Sequence, residues 1–97
     1  MELTRPLSSS DRLRLAPAAT RALGADLLVS VGGATRPVER LAGSGPVLWH
    51  AFAAGLTIAE AARELAERSN AAPDLVEAHV LEFATELVAA DLAEPAA

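Results

Sequence analysis

The side chains able to do chemistry in this chain are few and scattered. His50 and His79 are the two histidines, and cysteine is absent. A metal site needs three or four ligands at close spacing, and neither histidine has such company in the sequence. Both read as structural or surface residues. No serine, threonine or lysine sits at a spacing to a base that would mark an activated nucleophile. Gly32-Gly33 lacks the further glycines, lysine and hydroxyl of a phosphate loop. Nothing here suggests catalysis, a metal or a cofactor, so the expectation is a non-enzyme. Two other groups of residues suggest binding. Arg36, Pro37, Val38, Glu39, Arg40 and Leu41 form a short extended stretch. His79, Glu82, Phe83 and Glu86 recur at three- and four-residue spacings, which places them along one side of a helix. The stretch reads as an exposed strand edge able to accept another strand, and the helix side as a polar face around Phe83 that could contact a ligand. Each group also has a plainer reading. Charges and a proline blunt an edge against aggregation, and a solvated helix face beside a core phenylalanine has the same spacing.

The elements that would hold these groups follow from periodicity. Residues 1–17 carry Pro6, the Ser8-Ser9-Ser10 run and Pro17, and read as a flexible arm. Residues 19–23 form a weak strand candidate, broken at Gly24-Ala25. Asp26–Val31 is the clearest strand, with Leu27, Val29 and Val31 on one face and Leu28 and Ser30 on the other. Gly32-Gly33 suits a hairpin connection because glycine accepts positive φ. Residues 35–41 then return as a third strand. Pro37 lies inside it, and proline is confined to edge strands because it donates no ladder hydrogen bond. Either its position faces the ligand and one docking bond is missing, or it faces strand two and Val38 and Arg40 point their amides outward.

After residue 42 the period changes from two to 3.6. Ser44 stands at an N-cap position with Pro46 in the first turn, and Val47, Leu48, Ala51 and Phe52 form the apolar face of a first helix that Gly55 ends. Trp49 reads as a packing residue of that helix. Thr57-Ile58-Ala59-Glu60 is a capping box opening a second helix, with Ile58, Ala61, Ala62 and Leu65 inward and Asn70 as its stop. Pro73 opens a third helix running to about Ala90. Val76, Val80, Phe83 and Leu87 make one apolar stripe there, and Leu81, Ala84, Val88 and Leu92 make another. Two stripes imply two packing partners, the other helices and the sheet. An antiparallel three-stranded sheet followed by three helices is the plan of an α+β, winged-helix-like unit, expected over residues 18–94.

Charge decides against the usual job of such a unit. The chain is 52% hydrophobic with a net charge of −5, and all eight of its cations are arginine. Residues 1–42 carry about +2, and residues 43–97 carry −7. The third helix holds Asp74, Glu77, Glu82, Glu86 and Asp91 with no arginine or lysine, whereas a DNA-reading helix presents cations or amides to the major groove. An acidic helical half repels phosphate backbones. A nucleic-acid partner is therefore not expected. No apolar run approaches the roughly 20 residues of a membrane span, and the N-terminus lacks the apolar core of a secretion signal. With no cysteines to form disulfides, the cytoplasm is the expected location.

The run Val47-Leu48-Trp49-His50-Ala51-Phe52-Ala53-Ala54-Gly55-Leu56-Thr57-Ile58-Ala59-Glu60 resembles the central motif of the PqqD family. There a helix with a tryptophan core leads through a glycine turn to a Thr-hydrophobic-x-Glu helix start. The likeness continues through Glu64-Leu65-Ala66-Glu67-Arg68-Ser69, Pro73, Val76, Val80, Phe83, Glu86-Leu87 and Asp91-Leu92, and spans roughly residues 19–94. Where many members have Leu-Asn before the first helix, this chain has Leu41-Ala42. The resemblance implies a peptide chaperone, or recognition element, for ribosomally made and post-translationally modified peptides. The precursor's leader would add as a strand beside the third strand, in the groove against the third helix. The domain would present it to a tailoring enzyme such as a radical SAM protein, a leader peptidase or a cyclase. The remaining alternative is a protein–protein adaptor or dimerisation module, in which the same edge would join a homodimer.

Overall fold

A computed structural model describes residues 6–31 and 37–96. The fold is α+β: an antiparallel three-stranded sheet, three helices, and a second, two-stranded sheet. In the larger sheet, β2 (Ala18–Leu23) and β3 (Asp26–Val31) form a hairpin, and β4 (Glu39–Leu41) pairs with the other side of β3. Gly24 turns the hairpin with φ +61, a conformation glycine adopts without steric cost. The period-two pattern of β3 is realised in burial, since Leu27, Val29 and Val31 are buried while Leu28 and Ser30 are half-buried. The third strand is shorter than the sequence suggests. It begins at Glu39, so Pro37 and Val38 precede the ladder and the question of which way Pro37 faces within it does not arise. A proline has no amide to contribute to a ladder, which accounts for the late start. The Gly32-Gly33 connection, Thr35 and Arg36 lie outside the described residues.

The helices are α1 (Gly45–Ala53), α2 (Ile58–Ser69) and α3 (Pro73–Ala89). Each ends in a left-handed residue that satisfies orphan carbonyls. After α1, Gly55 has φ +89, its amide donates to Phe52, and the amide of Leu56 donates to Ala51. Asn70 (φ 54) ends α2 and Asp91 (φ 61) follows α3. The capping box of α2 is complete: Thr57 Oγ1 accepts from the Glu60 amide at 3.1 Å, and the Glu60 carboxylate accepts from the Thr57 amide at 2.8 Å.

The core runs between β3 and the helices, with Phe52, Leu48, Ile58, Val29 and Val80 fully buried at its centre. Trp49 is 4% exposed and packs there, as the sequence suggests. The two stripes of α3 are largely inward: Val76, Val80, Ala84 and Leu87 are buried, with Leu81, Phe83 and Val88 half-buried. Their main partners are α2 and the small sheet, while α1 is the helix that packs on β3.

The segment expected as a flexible arm is, in its described part, joined to the fold. Strand β1 (Leu13–Leu15) pairs antiparallel with β5 (Ala93–Pro95) next to the C-terminus. Leu13 is 4% exposed. Upstream of it, the carbonyls of Asp11 and Ser9 accept from the amides of Ile58 and Ala59 at 2.9 and 2.8 Å, two of the donors that the first turn of α2 leaves unpaired. Arg12 Nε donates to the Gly55 carbonyl at 3.1 Å. Arg14 and Glu94 form an ion pair across the small sheet, both well exposed and so worth little on their own.

Candidate functional site

The residues singled out on β4 and α3 converge around the start of α1. Leu41 turns inward from the end of β4 and is 8% exposed. Four residues on, Gly45 opens α1, and the space beside its Cα is tight. A Cβ there would lie 3.0 Å from the Leu41 Cβ and 3.6 to 3.7 Å from two ring carbons of Phe83 on α3. Leu41, Gly45 and Phe83 are thus stacked, and a larger residue at 45 would push strand and helix apart. Phe83 remains half-buried, with part of its ring open.

His79, one turn before Phe83, is fixed to the same junction. Its Nε2 and the Ser44 hydroxyl are hydrogen-bonded at 2.9 Å. The sequence suggests Ser44 as an N-cap, and it holds that position, but its backbone is helical (φ −80, ψ −8) and its side chain caps nothing. A capping serine needs an extended backbone to turn its oxygen onto the N2 or N3 amide. Released from that task, the hydroxyl ties α1 to α3. Ser44 and Gly45 are therefore members of the site that motif reading passed over. The Ser-Gly-Pro sequence signals a helix start and nothing more.

Glu82 and Glu86 are exposed on the same helix, leaving the α3 side of the junction acidic. Opposite them, the β4 residues divide by face. Glu39 and Leu41 share a face with Val29 and Leu27, their register partners, and so look towards the helices. Arg40 pairs in register with Leu28 on the outer face. Its guanidinium is held by Asp26 Oδ2, at 2.7 Å from Nε and 2.6 Å from the terminal nitrogen. Arg40 thus braces the edge of the sheet. Val38, 56% exposed, lines a shallow outer depression of about 200 Å³ with Ala19, Thr20, Arg21, Leu28 and Ser30. Pro37 is exposed. The structure brings Leu41, Phe83 and His79 together through Ser44 and Gly45, while Val38 and Arg40 belong to the opposite face of the sheet. Arg36 is outside the described residues.

Chemically, the site offers backbone groups and surfaces. β4 pairs with β3 alone, and among the described residues no strand covers its other edge. Among those residues, no group of three His, Cys, Asp or Glu side chains could hold a metal ion, and no helix is long and apolar enough to cross a membrane. Comparison with protein-family models, curated proteins and solved structures finds no match. The likeness to the PqqD family rests on the quoted residues alone.

Proposed function

We propose that this protein is a non-catalytic peptide-binding domain of winged-helix type, similar in role to PqqD proteins. It captures the leader of a ribosomally made precursor peptide by strand addition to β4. It then presents that peptide, in the cytoplasm, to a separate tailoring enzyme such as a radical SAM protein, a leader peptidase or a cyclase. The observation that carries this reading is the convergence of an unpaired strand edge with α3 at Gly45. An added strand gains main-chain hydrogen bonds from the edge, and its alternate side chains gain a surface to read. On the helix side that surface is the open part of the Phe83 ring, His79, and the acids Glu82 and Glu86. Along the other sheet edge, β2, residues 19–23 are all exposed.

The test is a calorimetric titration with the leader of a short precursor encoded beside this gene. Calorimetry is preferred to tryptophan fluorescence because Trp49 is buried in the core and not exposed to an arriving ligand. Saturable one-to-one binding that a scrambled peptide fails to reproduce supports the proposal. A folded protein that binds no neighbouring precursor refutes it and moves the assignment to a protein–protein adaptor.

A further inference from the structure

The longer free edge of the sheet is on β2, and its chemistry differs from that of β4. β2 runs over six residues, Ala-Ala-Thr-Arg-Ala-Leu, and among the described residues pairs with β3 alone. From Ala19 to Leu23 every residue is exposed, and Leu23 is 47% exposed. Register shows how unusual this is. Thr20 and Ala22 lie opposite Val29 and Leu27, so they occupy the sheet's core-facing side, yet both are exposed. The core thus covers β3 and reaches Ala18, which is half-buried against it, but leaves Thr20 and Ala22 open. Native edges are guarded by proline, clustered charge or bulges. Pro37 lies shortly before β4 and Pro17 immediately before β2, but β4 carries Glu39 and Arg40 among its three residues, whereas β2 carries Arg21 as its sole charge in six.

We infer that β2 is a self-association edge, on which a second copy of this chain pairs its own β2 antiparallel to make one six-stranded sheet. The sequence of β2 fits itself in one register. A two-fold axis relating antiparallel copies of a strand stands perpendicular to the sheet. Opposed residues therefore share a face, and opposed residue numbers have an even sum. Centring the pair on Arg21 sets two like charges opposite each other, which is unfavourable. Centring it on Thr20 sets Thr20 against Thr20, Ala18 against Ala22 and Ala19 against Arg21 of the second copy. Threonine pairs are favourable cross-strand neighbours, and each arginine then faces an alanine. Centring on Ala19 or Ala22 shortens the ladder. A different protein's strand has no such reason to fit. The assignment is independent of peptide capture, because the dimer leaves both β4 edges free.

The contact is small. Six strand residues extend about 20 Å, and alanine and threonine side chains bury less than a standard interface, so the dimer is reversible with a dissociation constant on the order of 100 µM. Sedimentation equilibrium from ~10 µM to ~1 mM spans that range. The mass should rise from the 10.0 kDa monomer towards twice that value. Thr20→Lys puts two ammonium groups opposite each other at the axis and should hold the protein monomeric throughout. Ala19→Glu sets a carboxylate against each Arg21 and should tighten association several-fold. The chain lacks cysteine, so Thr20→Cys reports register: mild oxidation should cross-link it far faster than His50→Cys on α1. Circular dichroism confirms that each variant is folded. A monomer at every concentration overturns the inference. So does a dimer that Thr20→Lys and Ala19→Glu leave unchanged, because the contact then lies elsewhere. Leader binding to Thr20→Lys keeps the two edges separable, since that substitution leaves β4 untouched.

Discussion

Leu13→Ala asks whether the N-terminal segment is part of the folded unit. Leu13 is 4% exposed, and its strand, β1 of the small sheet, packs against α1. The substitution removes three carbons, about 2.4 kcal/mol of transfer free energy at about 0.8 kcal/mol each. The cavity left behind adds to this, and buried leucine-to-alanine changes cost about 2–5 kcal/mol. Since β1 is three residues long and can partly close over the gap, we expect about 3 kcal/mol. In a domain of this size 1 kcal/mol moves the midpoint by about 4–8 °C, so Tm should fall by about 12–24 °C. Urea and thermal unfolding followed by circular dichroism measure both. Leu75→Ala is the control, because Leu75 is 74% exposed and its loss should fall within about 0.5 kcal/mol. If Leu13→Ala also falls within about 0.5 kcal/mol, residues 13–15 are not packed as described and the β1–β5 sheet is refuted.

Three further outcomes follow from local chemistry. Hydrogen bonds from the backbone and side chain of Thr57 hold the Glu60 carboxyl below its usual range. The carboxylate's stabilisation is complete above the ordinary range and is lost as pH falls through the lowered folded value. Glu60→Gln should therefore flatten the fall in urea midpoint on going from about pH 7 to about pH 3, and an unchanged slope rules the box out as a contributor. Asn70 sits at φ 54, so Asn70→Ala should cost about 1 kcal/mol in chemical denaturation while Asn70→Gly costs little. Gly45→Val crowds Leu41 and Phe83. It should cost about 1–3 kcal/mol and move the resonances of both residues, and a neutral result would deny the close approach.

Local signals account for what the sequence made readable. Helix boundaries were legible because their determinants are local: the Thr57–Glu60 box, the first-turn prolines 46 and 73, and stops at Gly55 and Asn70. The hairpin core was legible because Leu27, Val29 and Val31 alternate cleanly. The β1–β5 sheet was not, since each strand is three residues long and its pairing joins residues about 80 positions apart, as Arg14 and Glu94 do. No local pattern encodes such a contact. The exposed state of β2 was also hidden, because its alternation of small residues says nothing of which helix fails to cover it. At the candidate site, sequence located Phe83 and His79 on one helix side but not their partners Ser44 and Gly45, which carry generic helix-start signals. It also grouped Val38 and Arg40 with Leu41, although strand parity separates their faces and Asp26 holds Arg40.

Strand addition at β4 is tested most directly by backbone N-methylation of a bound leader, one residue at a time, with affinity measured by calorimetry. N-methylation deletes an amide donor and leaves the protein untouched. An added strand turns its amides alternately towards and away from β4. Losses should therefore recur at every second residue over a segment of about three to five positions, each about tenfold where a hydrogen bond worth about 1.4 kcal/mol is removed. Losses without the two-residue period, or none at all, would mean that the peptide does not pair with the β4 edge.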